Sequence, residues 1–114
     1  MVHRNIDRCN MCGICNASCP VYKVMRNEAV SPRNKVRLAR DKKASELFYL
    51  CTDCRQCFKD CPVNVELDIE SVREVLVREG KETGPNKRMR QNIKEFGNPF
   101  GDVKKIKNIK QFYT

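Results

Sequence analysis

At 114 residues the chain is long enough for one domain, and with 40% hydrophobic residues and a mean hydropathy of −0.63 it can build only a thin apolar core. Its longest apolar runs, Leu47-Phe48-Tyr49-Leu50 and Val75-Leu76-Val77, fall far short of the ~20 residues that span a bilayer, so a membrane would be reached only indirectly, through another protein. The formal charge of +9 gathers late, in Lys87-Arg88-Met89-Arg90 and in Lys104, Lys105, Lys107 and Lys110; with no nucleic-acid-binding module beside it, it reads as solvated surface or as a docking face for an acidic partner.

In chain order, the first segment, Met1 to Asp7, lacks the apolar core of a secretory signal. A reducing, cytoplasmic setting is therefore expected, and His3, the only histidine, stands in a terminus expected to fray. Next comes Cys9-x2-Cys12-x2-Cys15-x3-Cys19-Pro20. The 31 residues from Pro20 to Leu50 hold room for about two helices. Ser31 is a good N-cap with Pro32 at the first helical position, and a helix is predicted over 33–41, with Val36, Leu38 and Ala39 on helical spacing. Residues 44–50 form a short apolar turn into the second run, Cys51-x2-Cys54-x2-Cys57-x3-Cys61-Pro62. Asp68 caps a helix whose apolar residues are Ile69, Val72, Val75 and Leu76, with Gly80 as its stop. Ser71 stands where a capping box would need Glu or Gln. A further helix is predicted over 85–96, ended by Gly97-Asn98-Pro99. The basic tail, 100–114, spaces Val103, Ile106 and Ile109 by three, a pattern that orders only on a partner.

The two cysteine runs carry the chemistry. Three cysteines at steps of three, then a fourth before a proline, form the ligand run of a bacterial-type [4Fe–4S] cluster. A cubane has four iron corners, each needing a thiolate, and short steps let the backbone deliver three from one side. In two-cluster proteins the fourth thiolate reaches the other cluster. One cluster is therefore assigned to Cys9, Cys12, Cys15 and Cys61, and the other to Cys51, Cys54, Cys57 and Cys19. Pro20 and Pro62 fix φ and donate no amide, which sets the exit of each loop. A disulfide framework gives no reason for the spacing to recur, and structural zinc uses separated pairs rather than a third cysteine in step. Cys9 and Cys51 lie 42 positions apart, too far for a compact β-hairpin half. That length argues for an all-α, two-cluster domain. The expected division is a ferredoxin domain over 1–84 and a C-terminal helix with a basic, helical or extended tail over 85–114 as a partner-docking extension. No catalysis is expected from the polypeptide itself.

The cysteine runs, with Ser31-Pro32-Arg33-Asn34-Lys35-Val36-Arg37-Leu38, Leu50-Cys51-Thr52-Asp53-Cys54-Arg55-Gln56-Cys57 and Pro62-Val63-Asn64-Val65, resemble the α-helical ferredoxin family. It includes the iron–sulfur subunits of heterodisulfide reductase, glycolate oxidase, anaerobic glycerol-3-phosphate dehydrogenase and succinate dehydrogenase. The resemblance covers about residues 5–80, and Asn98-Pro99-Phe100-Gly101 adds weaker support. No [2Fe–2S] domain precedes the module and no further cysteine-rich domain follows it, so its layout is similar to a stand-alone iron–sulfur subunit of heterodisulfide reductase. Cys54 is present, so a [3Fe–4S] centre is not expected. The resemblance implies an electron-transfer subunit of an oxidoreductase, passing electrons through two [4Fe–4S] clusters to a catalytic iron–sulfur, flavin or quinone-reactive partner subunit. Alternatives are a free, diffusible ferredoxin or, less favoured, an iron–sulfur structural or sensor module that binds nucleic acid.

Overall fold

Cys19, Ser31 and Asp68 each start an α-helix by accepting a first-turn amide on the side chain. In the computed structural model, which describes residues 3–105, six α-helices follow one another: α1 (Ile14–Ser18), α2 (Pro20–Met25), α3 (Pro32–Arg40), α4 (Gln56–Lys59), α5 (Ile69–Arg78) and α6 (Gly84–Phe96). Short 3-10 helices occupy Ile6–Arg8, Glu28–Val30 and Glu46–Leu50. The described residues contain no strand, only one antiparallel bridge between Arg4 and Glu66. None of their helices is long and apolar enough to cross a membrane. The boundary between the chain's two compact units falls between Lys81 and Glu82.

In the first unit, the Ser31 hydroxyl accepts from the Asn34 amide at 3.0 Å, and Pro32 opens α3. Asp68 caps α5 by accepting from the Ser71 amide at 3.1 Å. The Ser71 hydroxyl donates to the other Asp68 oxygen at 2.5 Å, and the Asp68 amide, which Glu or Gln would satisfy in a capping box, is taken by His3 instead. The predicted apolar turn over 44–50 is a 3-10 helix, capped by Ser45. These elements bring together one core of Val36, Ala39, Phe48, Tyr49, Val65, Leu67, Ile69, Val72 and Leu76. Phe48 and Leu76 are wholly shielded from water. At roughly 25 cal/mol per Å² of apolar area buried, so few side chains leave a small domain marginal.

From His3 onward the start of the chain is tied down rather than frayed. Arg4 and Glu66 exchange backbone hydrogen bonds at 2.9 and 3.0 Å. His3 Nδ1 accepts from the Asp68 amide at 2.9 Å, which gives this histidine a structural place at the start of α5. Burial lowers its pKa, which suits a neutral acceptor.

In the second unit, Thr83 precedes α6 and Pro85 lies in its first turn. The Glu82 carboxylate accepts from Arg90 Nη2 at 2.6 Å and from Asn86 Nδ2 at 2.8 Å. Its bond to Arg90 holds Glu82 below the usual carboxylate range. Arg90, counted in sequence with the late basic cluster, is thus engaged by Glu82 just ahead of its own helix, while Lys87 and Arg88 are exposed. Gly97, at φ 74, ends α6 with a left-handed cap. The spacing of Ile106 and Ile109, with Lys107 and Lys110, lies outside the described residues.

Candidate metal centre

Each cysteine run follows a 3-10 turn, curls around its second cysteine and enters a short helix. Met11 (φ 61) and Gly13 (φ 81) flank Cys12, and Asp53 (φ 53) and Arg55 (φ 59) flank Cys54. Left-handed residues on either side of each second cysteine bend the backbone sharply around it. The same two positions of each run adopt this geometry, so the sequence repeat is also a conformational repeat. For a residue with a side chain the left-handed state costs roughly 1–2 kcal/mol. Three of the four positions bear that cost.

Amides also reach individual sulfurs. Tyr22 N–H points to Cys19 Sγ at 3.5 Å, Asp53 N–H to Cys51 Sγ at 3.3 Å and Val65 N–H to Cys61 Sγ at 3.4 Å. Two arginines anchor the run starts. Arg40 Nη2 donates to the Ile6 and Cys9 carbonyls at 2.9 and 2.7 Å. Arg73 Nη2 donates to the Phe48 and Cys51 carbonyls at 3.0 and 2.5 Å. In both runs the clamped carbonyls belong to the first cysteine and the residue three before it. The helices that carry the third cysteines, α1 and α4, pack against each other.

The eight thiols surround two concavities. The first, of about 490 Å³ including its solvent-open part, is lined by Cys9, Cys12, Cys15 and Cys61, with Cys57 at its edge. The second, of about 440 Å³ counted the same way, is lined by Cys19, Cys51, Cys54 and Cys57. Pro32, Cys57, Phe58 and Leu67 face both and form the wall between them. Cys57 is the one thiol shared; Cys61 lies at the first concavity alone and Cys19 at the second alone. Cys12 and Cys54 are exposed, while the other six are partly buried.

The thiols sense one another within these groups and, at Cys57, across the shared wall. Burial pushes the Cys15 thiol up to about 11, and nearby Cys9, Cys12 and Cys61 add to the rise. Burial likewise pushes Cys57 up to about 12, with contributions from Cys51, Cys15, Cys19 and Cys54. Crowded thiols resist ionisation because each thiolate repels the next, whereas an iron centre needs all of them ionised. Among the described residues, no three His, Cys, Asp or Glu side chains converge tightly enough for a single metal ion. The sulfurs are arranged around a space rather than a point, which suits a guest of cluster size. Apolar walls of Val36, Val63, Val65 and Leu67 limit water at the first concavity, and solvent access is one control on cluster potential.

Sequence reasoning singles out the eight cysteines and misses Arg40 and Arg73, which clamp the run starts, and the buried Lys35 beside the second concavity. For Lys35 alone the available signal is register. Lys35 follows Ser31 by one helical turn and adjoins Val36, which places it on the apolar side of α3.

Comparison with known proteins gives the same picture. The family description "4Fe-4S dicluster domain" matches residues 5–65. The glycolate oxidase iron-sulfur subunit of Escherichia coli is 28% identical over 99 residues, covering 76% of this chain and 24% of that protein. A subunit of the ferredoxin/F(420)H(2)-dependent CoB-CoM heterodisulfide reductase of Methanosarcina acetivorans is 36% identical over 78 residues, covering 63% of this chain and 47% of the relative. An iron-sulfur subunit of the CoB–CoM heterodisulfide reductase of Methanopyrus kandleri is 24% identical over 80 residues, covering 67% and 42%. The chain thus spans between a quarter and a half of the length of these curated relatives. The chain belongs to the 4Fe-4S dicluster domain family, and its cofactors are two [4Fe–4S] clusters.

Proposed function

We propose that this chain is an electron-transfer iron–sulfur subunit of an oxidoreductase, with crossed ligation of its two clusters. Cys9, Cys12, Cys15 and Cys61 hold one, and Cys51, Cys54, Cys57 and Cys19 hold the other. The observation that carries the reading is the pair of thiol-lined concavities sharing a wall, each with its fourth sulfur drawn from the opposite run. When bound, the clusters supply one-electron chemistry. The polypeptide positions them, shields them from water and directs amides at their sulfurs. Exposed Cys12 and Cys54 bring each site close to the surface, so one site can receive from a donor while the other faces an acceptor.

The names of the relatives support a partner that is another oxidoreductase subunit, bearing a catalytic iron–sulfur, flavin or quinone site. Lys87 and Arg88, exposed on α6, offer positive charge to an acidic partner surface. Any approach to a membrane would run through that partner. The test is anaerobic purification with iron and sulfide analysis, followed by EPR of the reduced protein. About eight irons per chain, reversibly reduced, is the expected result; colourless or zinc-loaded protein would overturn the reading.

A further inference from the structure

The two sites are built alike, with one exception in charge. Arg40 and Arg73 clamp equivalent carbonyls, so their positive charges act on both sites in the same sense. At the first concavity the lining cation is Arg33, which is partly exposed and bonded to Glu28 at 2.7 Å, so its charge is offset. The second concavity is lined by Arg55, Asp53 and Lys35. Arg55 and Asp53 approach each other at 3.8 Å. Lys35 is different. It is 3% exposed, and its ammonium donates to the Val30 carbonyl at 2.6 Å. No carboxylate lies within ion-pair distance of it among the described residues.

A buried ammonium without a counter-ion is costly to keep, and burial accordingly lowers its pKa. The groups that oppose that lowering are Cys51, Cys19 and Cys57, all thiols of the second site, while Arg73 adds to it. What makes a cation tolerable in this position is negative charge held by those sulfurs, and that charge grows by one when the site is reduced.

We infer that Lys35 is a positioning residue for redox charge: its buried ammonium stabilises the reduced form of the cluster at Cys19, Cys51, Cys54 and Cys57, and so makes the second site the electron's resting place. This rests on the electron-relay reading above. The first site is then the entry and the second the exit. The electron that reduces the second site is the one the first site loses, with no proton or further reactant required.

The test is an EPR-monitored redox titration of wild type, Lys35→Met and Lys35→Arg, each first assayed for iron. With eight irons retained, Lys35→Met should shift the electron-exchange equilibrium between the sites about tenfold toward the first, a drop of about 59 mV in the second potential for a one-electron couple. Lys35→Arg, which keeps the charge, should restore it. Unmoved potentials, or equal shifts at both sites, would overturn the inference while leaving the relay intact. Should Lys35→Met fail to hold iron, a second measurement decides. The higher of the two potentials must be the one altered by Cys54→Ser rather than by Cys12→Ser, and the reverse assignment would refute the role of Lys35. Wild-type protein without reducible iron would bring down the relay reading itself, and this inference with it.

Discussion

The Ser18 hydroxyl donates a hydrogen bond to the carboxylate of Asp60, joining the residues that stand immediately before Cys19 and Cys61. Ser18 ends α1 and Asp60 follows α4. The bond therefore lies where the two runs cross, between the points at which each fourth cysteine departs. Asp60→Ala should lower the stability of the cluster-loaded protein by about 1 kcal/mol, since bonds to charged groups contribute more than neutral ones but this one is exposed. Thermal melts of the single and double variants test it. Ser18→Ala added to Asp60→Ala should cause little further loss; fully additive losses would mean the two side chains act separately.

The arginine clamps predict a site-selective effect. Removing Arg40 strands the Cys9 carbonyl and leaves that of Ile6 with the Cys9 amide alone, and removing Arg73 takes the side-chain donor from those of Phe48 and Cys51. An unpaired buried polar group costs about 1–3 kcal/mol. Arg40→Met should therefore speed loss of the first cluster to a chelator, and Arg73→Met that of the second, by on the order of tenfold or more. Equal labilisation of both clusters by either change would contradict the assignment of each arginine to its own run.

Equivalent loop positions should respond unequally to substitution. A Cβ on Gly13 would lie 2.9 Å from Arg33 Nη1, on a backbone at φ 81. Gly13→Ala should cost about 1–2 kcal/mol for the left-handed state, plus displacement of Arg33. At the matching position, Arg55 already bears that strain at φ 59. Arg55→Gly would relieve it while loosening the unfolded chain, so its net effect should stay within about 0.5 kcal/mol. Chemical denaturation of the loaded protein separates the two outcomes.

Much of this arrangement is legible in the residues alone, and what is not has a common cause. Cysteine spacing, the Ser31 and Asp68 caps and the Gly97 stop are local signals, each read within a few residues. His3 reaching Asp68, Arg40 reaching Cys9 and Arg73 reaching Cys51 join residues far apart in the chain, and nothing in their neighbourhoods marks them. In sequence only its register beside Val36 sets Lys35 apart from the other cations of its helix, and packing buries it. The left-handed Asp53 and Arg55 have no glycine to announce them, unlike Gly13 in the first run.

Raised thiol pKa values set the pH dependence of loading. Cys15 near 11 and Cys57 near 12 hold their protons at pH 7 in the metal-free chain. Iron must displace those protons, so loading should strengthen as pH rises from about 6 to about 8.5 and weaken in acid. The sign is opposite for the metal-free fold. A raised pKa adds stability that is fully present below the ordinary thiol value of 9.0 and is lost as pH climbs toward 11 and 12. Chelator competition at several pH values checks the first statement, and circular dichroism of the metal-free chain under reducing conditions checks the second. Loading that is indifferent to pH would contradict the protonated state of these two thiols.

The most direct measurement of crossed ligation is the EPR spectrum of reduced Cys61→Ser protein, prepared without oxygen and assayed for iron. Cys61 belongs by sequence to the second run but lines the first concavity. The account predicts that the signal of the cluster built on Cys9, Cys12 and Cys15 is lost or altered, while that of the Cys51 side persists. Loss of the Cys51-side signal alone would show that each run closes its own cluster, and the crossed arrangement would be wrong.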